Sequence, residues 1–113
     1  MKRKVVAIIT DILGDRVVVG EKELEHAIDD HFSAIPQDIM LELLERVLKD
    51  PSEIYRDDQK TEQVYNFFYK LEKGPKYLLV VVKVTADGAF FASMYPTGKQ
   101  IRSKHKKLKK VKL

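Results

Sequence analysis

The sequence predicts an α+β fold in which two helices cover one face of an antiparallel β-sheet. Three observations support this class. Two short runs rich in β-branched residues open the chain around a Gly-Asp turn. Two segments with helical spacing of apolar residues follow. The second half then changes to strand-like alternation broken by glycine turns.

Length and composition set the class of protein. The chain has 113 residues, of which 44% are hydrophobic and 34% are charged, as expected for one globular domain. It has no cysteine, which excludes disulfides, thiolate metal sites and a cysteine nucleophile. The apolar run near the N-terminus is too short for a signal peptide or a membrane span. We therefore expect a cytoplasmic protein.

The first half predicts a β-hairpin and two helices. Val5–Ile9 and Arg16–Gly20 are the predicted hairpin strands. Glu21–Phe32 reads as a helix, with acidic residues in its first turn, where the helix dipole favours them. A second helix begins at Pro36 and ends at Asp50. Its apolar face comprises Ile39, Met40, Leu43, Leu44, Val47 and Leu48.

The second half predicts a meander of at least three strands. Gln63–Leu71 alternates between two faces, and Tyr77–Thr85 is nearly continuous in apolar residues, as in a central strand. Asp87-Gly88 is a hairpin signal that leads into Ala89–Tyr95. We expect the sheet face that bears tyrosines and polar residues to be partly open for binding.

The basic charge is concentrated at the C-terminus. Residues 99–113 hold eight of the 21 basic residues and none of the 17 acidic ones, so residues 1–98 have a net charge of −4. We therefore predict one domain over residues 1–98 and a basic tail over residues 99–113, which would attract a polyanion such as RNA. The alternative is an ordinary solvated terminus. Too few apolar residues lie in the tail for membrane binding.

Two groups of polar residues are candidates for chemistry. His26 and His31 lie on one predicted helix about 140° apart, and His26 shares a face with Asp30, which could orient its imidazole. That pair could equally be an ordinary surface contact. Ser93, Tyr95 and Thr97 would share a strand face near Lys83 and could hold a phosphate, or could simply face solvent. The alternating Tyr65, Phe67 and Tyr69 are expected to be half-buried core rather than a stacking surface.

The order of these pieces resembles a known pattern. The histidine helix segment is His26–His31, and an x-x-Pro-x-x-Ile helix end covers Lys49–Ile54. The strand Tyr77–Lys83 and a closing Ser93-Met94-Tyr95 complete it. From about Val17 to Arg102 the chain resembles the barnase–colicin–RelE-like ribonuclease superfamily, in particular its small barnase-like domains associated with phage and mobile elements.

The resemblance implies metal-independent and cofactor-free RNA cleavage by the ribose 2′-hydroxyl, which needs a general acid and base and donors for the phosphate charge. His26 and His31 match the family's histidine motif, and Ser93 and Tyr95 match its final strand. Lys70 or Lys83 would supply the phosphate-side cation. Binding to the nucleic acid would involve Lys70, Thr97, Lys99, Arg102, Lys104, Lys106 and Lys107.

Two positions depart from the family pattern. Asp30 stands where a basic residue usually precedes the second histidine, and Ser93 stands where threonine is more usual. The alternative to an enzyme is therefore a non-catalytic nucleic-acid-binding or structural module of the same fold. RNA is the expected partner, and an immunity or antitoxin protein would be a second partner if the domain is a toxin.

Overall fold

The computed structural model describes residues 4–32, 35–59, 62–72, 76–98 and 108–113. In this part of the chain, two helices and seven strands form one layer of helices on one sheet, which confirms the predicted α+β class. In chain order the elements are β1 (Val5–Thr10), β2 (Arg16–Gly20), α1 (Glu21–His31), α2 (Gln37–Lys49), β3 (Glu53–Asp57), β4 (Gln63–Leu71), β5 (Tyr77–Thr85), β6 (Gly88–Thr97) and β7 (Lys109–Val111).

The sheet has the order β1-β2-β6-β5-β4-β3-β7. Strands β3, β4, β5 and β6 are antiparallel neighbours, while β2 joins β6 in parallel through Val17–Ala89 and Val18–Phe90. The chain then leaves β2 at Gly20 and enters α1, which packs along β6. Beyond its short pairing with β2, β6 therefore has α1 packed against it.

Local interactions account for the hairpin and for the end of α2. In the β1–β2 turn, Gly14 has a φ of 92°, a left-handed conformation that glycine adopts without strain. An Asp11 carboxylate oxygen accepts hydrogen bonds from the backbone N–H groups of Leu13 and Asp15. At the end of α2, the Lys70 ammonium donates to the backbone carbonyl and the side chain of Asp50, at 2.7 and 3.1 Å. That lysine therefore stabilises the helix end.

The main core lies between the helices and the sheet. Leu24 and Ala27 of α1 and Met40, Leu44, Val47 and Leu48 of α2 are buried there against alternate residues of the central strands. The buried face of α2 is narrower than predicted, since Leu43 is only partly buried and Ile39 is exposed. The largest side chains in this cluster with an exposure of zero include Leu24, Met40, Leu44, Leu48, Ile54, Phe68 and Met94. Neither helix in the described part of the chain is long and apolar enough to cross a membrane.

The opposite face of the sheet is less open than predicted. Its centre is a second buried cluster of Tyr55, Tyr69, Leu79 and Val81. Tyr65, Phe67, Tyr77 and Tyr95 are partly buried around it, together with Leu108. The prediction that the alternating aromatic residues of β4 belong to a core is therefore confirmed. Tyr69 is fully buried in this cluster, and Tyr65 and Phe67 are partly buried against it.

Two strands lie in segments without a clear strand pattern in the sequence. β3 adds a strand between α2 and β4, and β7 pairs antiparallel with β3 at the sheet edge. β7 comes from the segment predicted to be a tail, so the sheet does not end at residue 98. The Lys109 ammonium lies 3.0 Å from Asp58, and the Lys110 ammonium lies 3.2 Å from Glu53.

The helix-facing core predicts a large cost for truncating α2. Leu44 is fully buried, so Leu44→Ala should lower the free energy of unfolding by about 2–5 kcal/mol through lost burial and a cavity. The neighbouring Glu45→Ala, at an exposed position, should change it by no more than about 0.5 kcal/mol. Urea denaturation of both variants measures this, and equal effects would contradict the described orientation of α2.

Candidate active site

A β-bulge in β6 decides which residues face the candidate site. Val81 of β5 pairs with Ser93 and Val82 pairs with Phe91, which leaves Ala92 as an extra residue. Side chains alternate along a strand, so the extra residue shifts the alternation by one. Phe91 and Met94 both enter the helix-facing core. The residues beyond the bulge at Ser93, Tyr95 and Thr97 consequently turn to the other face, as the sequence predicted for these three positions.

The end of α1 brings a histidine to this part of β6. His31 is the last residue of α1, and its imidazole contacts the Tyr95 ring with 5.3 Å between ring centroids and 39° between the ring planes. His31 is exposed, whereas Tyr95 is half-buried and packs on the second cluster. An accessible imidazole is thus held against a supported phenol ring, and the two residues together offer a proton-transfer group and a hydrogen-bond donor.

Two hollows lie along α1 and β6. One, of about 350 Å³, is lined by residues of both strands of the β5–β6 hairpin, including Lys83 and Phe90, and by Glu23. The other, of about 450 Å³, lies against α1 and is lined by Glu23, His26 and Asp29 among others. Both hollows share Glu23 and Ala92, so they adjoin at the bulge. We call the region along α1 and β6, from these two hollows to the contact between His31 and Tyr95, the groove. Of the candidate residues, His26 and Lys83 line the hollows, whereas His31, Tyr95 and Ser93 do not.

The two predicted histidines occupy different parts of that groove. His31 contacts Tyr95, while His26 lines the larger hollow with Asp29, its neighbour three residues on. The sequence spacing predicted Asp30 as the partner of His26. In the structure, Asp29 and not Asp30 lines the hollow with His26. Asp30 is exposed directly before His31. Of the two, His31 has the defined aromatic partner.

The lysine candidates separate in the same way. Lys83 lies on β5 opposite Phe90 and lines the smaller hollow, so it belongs to the groove. Lys70 points to the helix-facing side and is engaged with Asp50. Thr97 is the last residue of β6. The remaining nucleic-acid-binding candidates, Lys99, Arg102, Lys104, Lys106 and Lys107, lie outside the described residues.

Sequence reasoning missed two residues that shape the groove. Glu23 is the third residue of α1, and its carboxylate lies close enough to Gly20 that a Cβ there would be 2.6 Å from it. The sequence indicated Glu23 only as a first-turn acid. Ala92 carries no chemical signal, and it matters because it is the bulged residue. Among the described residues, no group of three or more His, Asp or Glu side chains is arranged to hold a metal ion.

Tyrosines of the second cluster support Tyr95. The Tyr69 ring makes edge-to-face contacts with Tyr55 and Tyr77, with centroid distances of 5.9 and 6.2 Å. Burial raises the pKa of the Tyr69 phenol well above its usual range, and the nearby Tyr95, Tyr55 and Glu53 add to this rise. Tyr69 therefore keeps its proton in the folded state over the whole neutral range.

Comparison with known families decides the kinship of the chain. The family described as phage-Barnase-EndoU-ColicinE5/D-RelE like nuclease2 matches residues 2–112. The chain belongs to this family. The predicted kinship with phage-associated barnase–colicin–RelE-like nucleases is thus confirmed, and the chain is a member of a nuclease family. The match includes β7, in agreement with its place in the sheet. Searches of curated proteins and of solved structures give no match.

The raised pKa of Tyr69 predicts a loss of stability at alkaline pH. The unfolded chain releases this phenol proton near the ordinary pKa of 10.0, while the folded chain retains it. The free energy of unfolding should therefore fall as pH rises above that value, by up to about 1.4 kcal/mol per pH unit from this group. Tyr69→Phe should make that fall shallower in urea titrations between about pH 9 and 12. An unchanged slope would contradict the buried, protonated phenol.

Proposed function

We propose that this domain is an endoribonuclease that cleaves RNA without a metal ion, by attack of the ribose 2′-hydroxyl on the adjacent phosphate. The observation that carries the proposal is the contact between His31 and Tyr95 in the groove of a nuclease-family chain. An accessible imidazole beside a supported phenol is suited to proton transfer next to a phosphate.

The reaction needs two proton movements and stabilisation of charge. The 2′ oxygen loses its proton and forms a bond to phosphorus, while the bond from phosphorus to the 5′ oxygen breaks and that oxygen gains a proton. The products are a 2′,3′-cyclic phosphate and a 5′-hydroxyl. We assign one of the two proton transfers to His31, since imidazole exchanges protons near neutral pH. His26, about 7.5 Å away along the helix axis, is the candidate for the other transfer.

The strand residues supply donors to the phosphate in this proposal. Ser93 and Tyr95 share one face of β6 beyond the bulge, so both hydroxyls can donate to phosphate oxygens. Lys83 of the adjoining hollow is the phosphate-side cation. We prefer Lys83 to Lys70 for this role, because Lys70 is engaged with Asp50 on the helix-facing side.

A non-catalytic RNA-binding domain is the competing outcome. The carboxylates Glu23, Glu25 and Asp29 lie in the larger hollow, and Asp30 precedes His31. Negative charge repels a phosphate backbone, so this groove depends on its cations for affinity. A toxin role, with an immunity or antitoxin protein as a second partner, would depend on cleavage. That role would be supported if expression of the chain arrests bacterial growth and His31→Ala does not.

The proposal predicts different effects for the two histidines. His31→Ala should lower the rate of RNA cleavage in EDTA by about 100-fold or more, as expected for loss of a positioned acid or base. His26→Ala should lower the rate less, since His26 does not contact Tyr95. Rates on a labelled mixed-sequence RNA measure both, with circular dichroism to confirm folding. No cleavage by the folded parent protein would favour the binding domain, and a larger effect at His26 would overturn the assignment.

Charge next to His31 should limit RNA affinity. Asp30→Lys replaces a negative charge beside His31 with a positive one, a net change of +2. It should lower the KM for RNA by about three- to tenfold at low salt, where Coulomb interactions are only weakly screened. Glu45→Lys makes the same charge change at an exposed position on α2 and serves as the control. Equal effects of the two variants would show that net charge alone is responsible.

A further inference from the structure

The second cluster, against which Tyr95 packs, contains a buried phenol. Tyr69 is only 1% exposed, although it lies on the sheet face away from the helices. Burying a phenol hydroxyl is unfavourable unless the hydroxyl has a hydrogen-bond partner. Burial is the main cause of the raised pKa of Tyr69, with smaller contributions from Tyr95, Tyr55 and Glu53, and the Tyr55 and Tyr77 rings pack against it. This polar group is thus enclosed on several sides.

Strand register brings Tyr69 and Tyr95 to the same row of the sheet. Leu79 of β5 pairs with Tyr69 on one side and with Tyr95 on the other, and Glu53 of β3 pairs with Tyr69. Directly paired residues point to the same face, so all four side chains lie in one line across it. Tyr55 and Tyr77 contact the Tyr69 ring at its edges and restrict its orientation. His31 rests on Tyr95 at the end of this line.

A further chain of contacts fixes the far end of the line. The Tyr55 hydroxyl lies 3.5 Å from the Glu53 carboxylate, which the Lys110 ammonium of β7 contacts at 3.2 Å. Glu53 is thus held in place by a neighbouring strand on one side and faces Tyr69 on the other. These contacts restrict the orientation of the Glu53 side chain.

We propose that Tyr69 is a positioning residue of the candidate site, whose buried ring and hydroxyl hold Tyr95 in contact with His31. Tyr69 itself does not touch the substrate. A catalytic effect of Tyr69 rests on the proposed function. Its effect on the contact between Tyr95 and His31 does not depend on that function.

The first test measures that contact directly by NMR. The Tyr95 ring current shifts the ring protons of His31, and Tyr95→Leu defines their positions without it. Tyr69→Phe keeps the ring but removes the hydroxyl, and should move the His31 signals towards those of Tyr95→Leu. Glu53→Gln, which leaves every aromatic ring in place, should move them in the same direction. Unchanged His31 signals in both variants would overturn the proposal.

Tyr77→Phe is the matched control. It also removes a hydroxyl from a tyrosine that contacts the Tyr69 ring, but Tyr77 pairs with Leu71 and Thr97 and so lies outside the row that contains Tyr69 and Tyr95. The His31 signals should stay at their parent positions in this variant. A shift as large as that in Tyr69→Phe would mean that any change in the cluster disturbs the site, which would remove the specific role of Tyr69.

The second test uses RNA cleavage. Misplacing Tyr95 and His31 should lower kcat by about tenfold in Tyr69→Phe, with KM unchanged because Tyr69 makes no contact with RNA. Tyr77→Phe should keep the parent kcat. An equal loss in both variants, or a rise in KM alone, would contradict positioning. If the parent does not cleave RNA, the proposed function fails, and the NMR result still decides the role of Tyr69.

Discussion

The bulge at Ala92 is the constraint on which the candidate site depends. Strand β6 must contribute Phe91 and Met94 to the helix-facing core, yet a regular strand would place residues an odd number apart on opposite faces. The extra residue resolves this conflict by shifting the alternation. It also turns Ser93 and Tyr95 towards the groove. Core packing and the placement of the site residues are therefore consequences of the same local irregularity.

The second requirement is that α1 lies beside β6. Strand β2 pairs with β6 only near Ala89 and Phe90, and the chain then becomes helical at Glu21. This arrangement places the last turn of α1 against the part of β6 that follows the bulge. His31 meets Tyr95 for that reason, and not because the two residues are close in sequence. The tyrosines behind Tyr95 then hold the other side of the contact.

Much of the fold followed from local patterns. The apolar spacing of α2 and the stop at Asp50-Pro51 predicted that helix within one residue at either end, because burial and proline geometry act locally. Strand β3 escaped prediction because Glu53–Asp57 has charged residues among its five, and its burial comes from β4 beside it. Strand β7 is rich in lysine, and it is held by carboxylates distant in sequence, Asp58 and Glu53.

The site was predictable in its residue types but not in its grouping. Spacing and family resemblance singled out His31, Tyr95, Ser93 and Lys83, and the structure arranges them along one groove. Spacing could not show that Lys70 faces Asp50, since a nine-residue strand offers either face to the helices until its register is known. The burial of Tyr69 likewise depends on strands from four parts of the chain. The pairing of strands that are distant in sequence determines the face of Lys70 and the burial of Tyr69, and a short stretch of sequence does not contain that information.

The proposed reaction is cleavage of RNA by attack of the ribose 2′-hydroxyl on the adjacent phosphate. The most direct measurement incubates the purified protein in EDTA with an RNA oligonucleotide and with the DNA oligonucleotide of the same sequence, and determines the product ends by mass spectrometry. If the domain uses the ribose 2′-hydroxyl as proposed, only the RNA is cut, leaving 2′,3′-cyclic phosphate and 5′-hydroxyl ends. Cleavage of both the RNA and the DNA oligonucleotide, or product ends that carry 3′-hydroxyl and 5′-phosphate groups, would contradict 2′-hydroxyl chemistry.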